Sequence, residues 1–184
     1  MSLPPQEERL LKALAVAIVD HPRATVKELA EQAGVSKATL HRFCGTRDNL
    51  DDMLMSYAEQ VFNQIITNCE LDSTDPLSAI RKLLSEHLMH REMMLYLTFH
   101  YKPDSLDAKV DGRWQPFMDS LDAFFLRAQQ AGVLRIDLSA PVLTELFLSL
   151  IYAIVDAERR GRAASSSSLS TLETMFLYGA STAE

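Results

Sequence analysis

The chain has 184 residues, with 18 Lys/Arg against 25 Asp/Glu, a formal net charge of −7. That length can bury a real core and allows one or two small domains, and the composition agrees with a soluble cytoplasmic protein. Cys44 and Cys69 lack any metal-ligand or CxxC spacing, which argues against zinc and disulfides, and six scattered glycines leave out the phosphate-cradling loops of common enzymes.

The first predicted element is an apolar helix over 8–20. Its stretch 10–19 falls short of the roughly twenty residues that span a bilayer, and no other run is expected to approach that length. Glu7 and Glu8 precede it in place of a basic segment, so it does not read as a signal peptide. Thr25, followed three residues later by Glu28, is a capping box. It opens a second helix with Val26, Leu29, Ala30 and Ala33. Gly34 supplies the turn and Val35 plugs the angle between helices. Ser36 then caps a third helix whose inward positions are Leu40 and Phe43. Lys37, Ala38, Thr39, His41 and Arg42 face outward, a short basic and hydroxyl-bearing surface of the kind a recognition helix presents to a major groove. The pattern is that of a helix-turn-helix.

The fourth helix is predicted to begin near Thr46 and run over 48–68, with Leu50, Leu54, Tyr57, Val61 and Ile65 on one face. A turn over 71–75 leads to Pro76, a good first residue for a fifth helix that carries Ile80, Leu83, Leu84 and Leu88. A sixth helix is expected over 92–101, then a loop-like start to 102–111. Pro116 starts or kinks a helix to about 131, which Gly132 ends. After a connector over 134–138, Ser139 caps the eighth helix. Arg159 and Arg160 lie in its last turn and Gly161 stops it. The serine-rich stretch 162–168 reads as a loop before a last helix over 169–179. The fold class is all-α, about nine helices, with no strand and no repeat. A helix-turn-helix DNA-binding domain is expected over 1–50 and a helical domain over 51–184.

The segment 30–44, AEQAGVSKATLHRFC, with the unit around it, resembles the TetR/AcrR family of transcriptional regulators. The family's recognition segment commonly runs Val-Ser-x-Gly/Ala-Thr-Leu-Tyr-x-His-Phe, followed by Gly-Ser-Lys-Glu and a leucine. Val35, Ser36, Ala38, Thr39, Leu40, Gly45 and Leu50 match it, and Thr46 and Arg47 stand for the Ser-Lys pair. His41 replaces the usual tyrosine, Phe43 the histidine and Cys44 the core phenylalanine. Residues 8–55 carry the match, and the resemblance assigns effector binding and dimerisation to the helical domain over 51–184.

The charge distribution suits this reading. Residues 1–50 hold seven Lys/Arg and six Asp/Glu, and residues 51–184 hold eleven and nineteen. The basic groups of the first part gather at Arg23, Lys27, Lys37, Arg42 and Arg47, and the acidic remainder discourages nonspecific adhesion to DNA. Thr25, Lys37, Ala38, Thr39, His41, Arg42 and Arg47 are therefore the expected DNA contacts, with Thr25 and Arg47 holding phosphates at helix N-termini.

The last two helices are apolar over more than one stripe, so each needs packing on two sides. Leu146, Leu150, Ile154, Leu172, Met175 and Phe176 are the expected dimer interface, and the resemblance implies a four-helix contact between two copies. The middle of the chain is rich in methionine and aromatic residues. Met93, Tyr96, His100, Trp114, Phe117, Phe124 and Tyr152 are the candidate effector pocket, with Tyr96 or His100 orienting a polar group. Stripes of this kind also serve as plain core. His87 and His90 read as surface or capping histidines in preference to metal ligands, and no cofactor is implied. The resemblance implies a homodimeric regulator of double-stranded DNA, a repressor released from an inverted repeat by a small molecule, with no membrane partner. A helical interaction module with a degenerate helix-turn-helix and a small helical enzyme stay open beside it, although no catalytic constellation emerges.

Overall fold

The computed structural model describes residues 3–73, 75–100 and 112–181. Nine helices follow one another among the described residues: α1 (Pro5–Asp20), α2 (Val26–Gln32), α3 (Lys37–Cys44), α4 (Arg47–Cys69), α5 (Pro76–Met89), α6 (Arg91–His100), α7 (Gln115–Gln130), α8 (Ala140–Arg159) and α9 (Ser165–Ala180). One isolated antiparallel bridge, Leu134 to Ser181, is the only β pairing among them. The all-α expectation holds. The predicted loop-like start of 102–111 lies outside the described residues.

Local chemistry sets the helix ends. Pro5 occupies the first turn of α1, where its missing N–H costs nothing, and Glu7 and Glu8 complement the helix dipole, so the helix starts earlier than residue 8. Pro76 does the same for α5, and the Asp75 carboxylate accepts from the Ser78 backbone N–H. Ser139 precedes α8 with extended backbone, but its side chain makes no capping bond. Gly161, at φ +69°, ends that helix where the sequence places the stop.

The loop expected over 162–168 is confined to 162–164, and the serine run from Ser165 is already helical. Serine hydroxyls compete with backbone groups for hydrogen bonds, which favours turns, but here they bond the carbonyls of the turn below. Ser167 and Ser168 donate to the Ala164 carbonyl, and Ser170 and Thr171 donate to that of Ser167. Ser168 is fully buried and also donates to the Glu158 carboxylate. The same carboxylate holds Arg91 at 3.0 Å.

The described chain forms two compact units. One falls within Met1–Gln60 and Glu92–Tyr101, the other within Val61–Arg91 and Lys102–Glu184. The first is larger than a head ending at residue 50, because α4 is one continuous 23-residue helix whose opening turns bury Leu50, Leu54 and Tyr57. In this unit α2 packs against α1 and α3. Leu11, Leu14 and Ile18 join Leu29 and Leu40 in the core. In the second unit α8 packs on α7, α9 and α5, and α9 also meets α5.

Helix α8 corrects the expectation that no segment approaches membrane-spanning length. Ala140–Arg159 is the one described helix that is long and apolar enough to cross a bilayer. In the fold one of its faces is already used: Leu143, Thr144, Phe147, Leu148, Ile151 and Val155 are buried. Phe147 is the centre of an aromatic core, with Phe176 at 5.1 Å, Phe125 at 5.5 Å and His87 at 5.7 Å between ring centroids.

Candidate functional site

The helix-turn-helix is built from short-range bonds. The Thr25 backbone N–H and hydroxyl both donate to Glu28 Oε2, at 2.7 and 2.8 Å, and the Glu28 N–H returns a bond to the Thr25 hydroxyl. Those two donors hold the Glu28 carboxyl below its ordinary range. Thr25→Ala should cost about 1 kcal/mol of stability, as a lost N-cap does. A chemical melt reads this, and an unchanged midpoint would deny the box any weight. Gly34 makes the turn at φ +70°, a region that a side chain occupies only with strain. Ser36 then accepts from the Thr39 N–H at 3.0 Å and shares a hydroxyl bond with Thr39 Oγ1 at 2.8 Å.

The seven predicted contact residues divide by what their side chains already do. Lys37, Ala38, His41 and Arg42 are exposed on α3, while Leu40 and Cys44 are buried beneath them. No ion pair among the described residues takes Lys37 or Arg42, so both charges face solvent. Thr39 is half-buried and bonded to the cap, and Thr25 is exposed but engaged in its box. Arg47 is also half-buried. Its Nε pairs with Asp51 at 3.3 Å and its Nη1 donates to the Ala24 carbonyl at 3.4 Å, which ties the start of α4 to the residues before α2. Cys44 is 6% exposed and its thiol donates to the Leu40 carbonyl. Burial pushes that thiol up, as expected for inert filler.

The predicted effector residues are shared between the two units. Met93 and Tyr96 are buried in the first unit, where the Tyr96 hydroxyl lies 3.4 Å from Asp51 Oδ1. Burial and the Asp51 carboxylate push this phenol up and keep it a neutral donor. Trp114, Phe117, Phe124 and Tyr152 belong to the second unit. Phe124 is spent against Phe125 in the core, at 5.3 Å, and Tyr152 is half-buried. The side chain of His100 lies outside the described residues.

What the sequence reading missed is His87. It is wholly buried, not a surface or capping residue, and stands among Phe62, Phe117 and Phe147. Burial takes its imidazole down to about 4 and leaves it neutral. The signal was present: Ile80, Leu83 and Leu84 set a stripe whose next helical position is residue 87.

The expected dimer residues also separate. Leu172 and Phe176 are each 2% exposed and are consumed inside the subunit, so they offer no surface to a partner. Both helices are apolar over much of their circumference, which hides from the sequence which stripe turns inward. Leu146 and Met175 remain exposed, at 48% and 59%, and Leu150 and Ile154 are half-buried. Val142 and Tyr178 extend the exposed apolar set.

A capped tri-helical head with a solvent-facing basic recognition helix, joined to an apolar helical bundle, defines a helix-turn-helix DNA-binding regulator. No protein-family model matches the sequence. The chain is 64% identical over 182 residues to the HTH-type transcriptional regulator NfxB of Pseudomonas aeruginosa, covering 98% of this chain and 97% of that protein. It is 28% identical over 102 residues to the HTH-type transcriptional repressor LfrR of Mycolicibacterium smegmatis, covering 53% of this chain and 50% of that one. Among solved structures, LfrR in complex with proflavine matches with TM-score 0.67 at 20% identity, over 96% of this chain and 98% of that one. The TetR family regulator PfmR of Thermus thermophilus matches with TM-score 0.67 at 17% identity, over 95% and 97%. These structural likenesses show the fold. The chain belongs to the TetR/AcrR family of transcriptional regulators, DNA-binding proteins and not enzymes.

Proposed function

We propose that this chain is a cytoplasmic homodimeric repressor that occupies an inverted-repeat operator and leaves it when a small molecule binds the second unit. The observation that carries the reading is the recognition helix, with Lys37, Ala38, His41 and Arg42 exposed on one capped helix and no carboxylate among the described residues paired with the two fixed charges. Lys37 and Arg42 approach base edges and phosphates, His41 a phosphate, and Ala38 a thymine methyl. Thr25, Thr39 and Arg47 act mainly by holding the head together, and the starts of α2 and α4 meet phosphates.

Two recognition helices on one duplex convert weak single-head binding into a spaced, tight event, which requires a second copy. The exposed apolar side chains on α8 and α9 support that partner. Leu146→Glu should therefore give a monomer in sedimentation while keeping its helical spectrum, because a charge on a dimer's apolar face is desolvated without a counter-ion. A Leu146→Glu dimer of wild-type strength would move the interface elsewhere.

The effector half of the reading is supported by the structure of LfrR in complex with proflavine, a relative of the same fold. A ligand releases DNA only to the extent that it prefers the protein conformation with the wrong head spacing. In vitro transcription from a promoter carrying the bound sequence tests the whole proposal. Transcript should fall as the protein is added. A rise would make it an activator, and no response would remove the regulatory role at that operator.

A further inference from the structure

The recognition helix carries one basic side chain whose charge is not fixed. His41 is exposed in the last turn of α3, with Lys37 one turn before it and Arg42 beside it. On α2, which packs against α3, Lys27 pairs with Glu31 at 3.8 Å and Glu28 is taken by Thr25. At the start of α4, Arg47 pairs with Asp51, and Asp48 is exposed. No carboxylate among the described residues pairs with the His41 ring. The anion it meets on binding is therefore the phosphate of DNA. Lysine and arginine stay charged throughout the physiological range, whereas imidazole titrates within it. A neutral ring has one donor and one acceptor nitrogen, and the charged ring donates from both. A phosphate beside it favours the charged form.

We propose that His41 is a proton-binding residue of the DNA site, that operator binding draws a proton onto its ring, and that operator affinity consequently falls as pH rises through the neutral range. The proposal rests on the regulator reading above and adds a regulating ion to the same site. The sign follows from linkage. A ring that is charged more often in the complex than in the free protein contributes to binding in acid, and that contribution is lost as pH rises. Lys37 and Arg42 hold the duplex at every pH, so binding weakens without vanishing. The identity of the residue matters here, because the tyrosine usual at this position in the family titrates only near pH 10 and donates throughout the range.

The test measures the affinity of the full-length protein for a duplex enriched from a random pool, from about pH 6.5 to 8. Ionic strength is held fixed, since counterion release otherwise masks the effect. Affinity should fall about tenfold or more over that range, as linkage to two imidazoles, one on each head, requires. Calorimetry in two buffers of different protonation enthalpy should show protons taken up on binding. In His41→Tyr and in His41→Gln both the fall and the uptake should disappear. Both changes are made at an exposed position, and a melt of each variant checks its fold. His21→Gln, at the exposed end of α1, should keep both effects. His87 takes no part, because burial leaves it neutral across the range.

A flat profile in the parent protein, a fall that persists in either His41 variant, or a fall abolished by His21→Gln would each overturn the proposal and leave the regulator reading intact. A pool that yields no bound sequence at either end of the range would remove that reading, and this proposal with it.

Discussion

Phe147→Ala should lower the unfolding free energy by about 3–5 kcal/mol, the usual cost of emptying a phenylalanine-sized space in a packed core. Phe147 has no exposed surface and touches the rings of Phe125, Phe176 and His87, which lie on α7, α9 and α5. The substitution removes contacts to three helices at once, and rings held by separate helices relax into the gap only partly. For a chain of this length the melting temperature should fall by on the order of 10 °C. The comparison variant is Leu126→Ala, on the same bundle but 50% exposed, which should stay within about 1 kcal/mol of the parent. Urea melts at fixed protein concentration decide it, since a dimer's stability depends on concentration. A Phe147→Ala loss no larger than that of Leu126→Ala would mean that the aromatic cluster is not the centre of the second unit.

The second large effect is on DNA. Lys37→Ala combined with Arg42→Ala should weaken operator binding by at least about a hundredfold at low salt, since each such contact is worth roughly 1–3 kcal/mol and a dimer loses each of them twice. The loss should come without unfolding, because both side chains are exposed and neither takes part in an ion pair among the described residues. It should also flatten the salt dependence, each lost phosphate contact removing nearly one unit of slope in log affinity against log salt. Arg47→Ala provides the contrast. Its guanidinium is tied to Asp51 and Ala24, so its removal should show in a melt before it shows in salt dependence. A double variant with unchanged affinity would take the recognition face off α3.

The reading head was legible because its determinants are local. A cap and its partner are three residues apart, a turn needs one glycine, and Ser36 reaches only to Thr39. Such signals survive without knowledge of the rest of the fold. The roles of Thr39 and Arg47 were less legible. The same hydroxyl or guanidinium can bond the protein or a phosphate, and only the geometry shows that both are already in use.

In the second unit the sequence signal ran out for a different reason. Ile154 and Leu172 look alike in a helix apolar on most sides, yet Leu172 is buried inside the subunit and Ile154 is half-buried. Packing partners distant in the chain decide that, and periodicity does not report them. Serine composition misled at the start of α9, where hydroxyls satisfied by the preceding turn let the helix continue through them. His87 was misread because histidine is usually a surface residue, although its place on the Leu83–Leu84 stripe of α5 put it inside.

The central claim is that two copies of this chain read one duplex through α3. Selection of bound sequences from a random duplex pool, repeated at two salt concentrations, tests it most directly. The account predicts recovery of an inverted repeat whose half-sites lie about one helical turn apart, or a multiple of it, with binding that falls steeply as salt rises. Folded, dimeric protein that enriches no sequence, or that enriches one half-site with no symmetry, would contradict it.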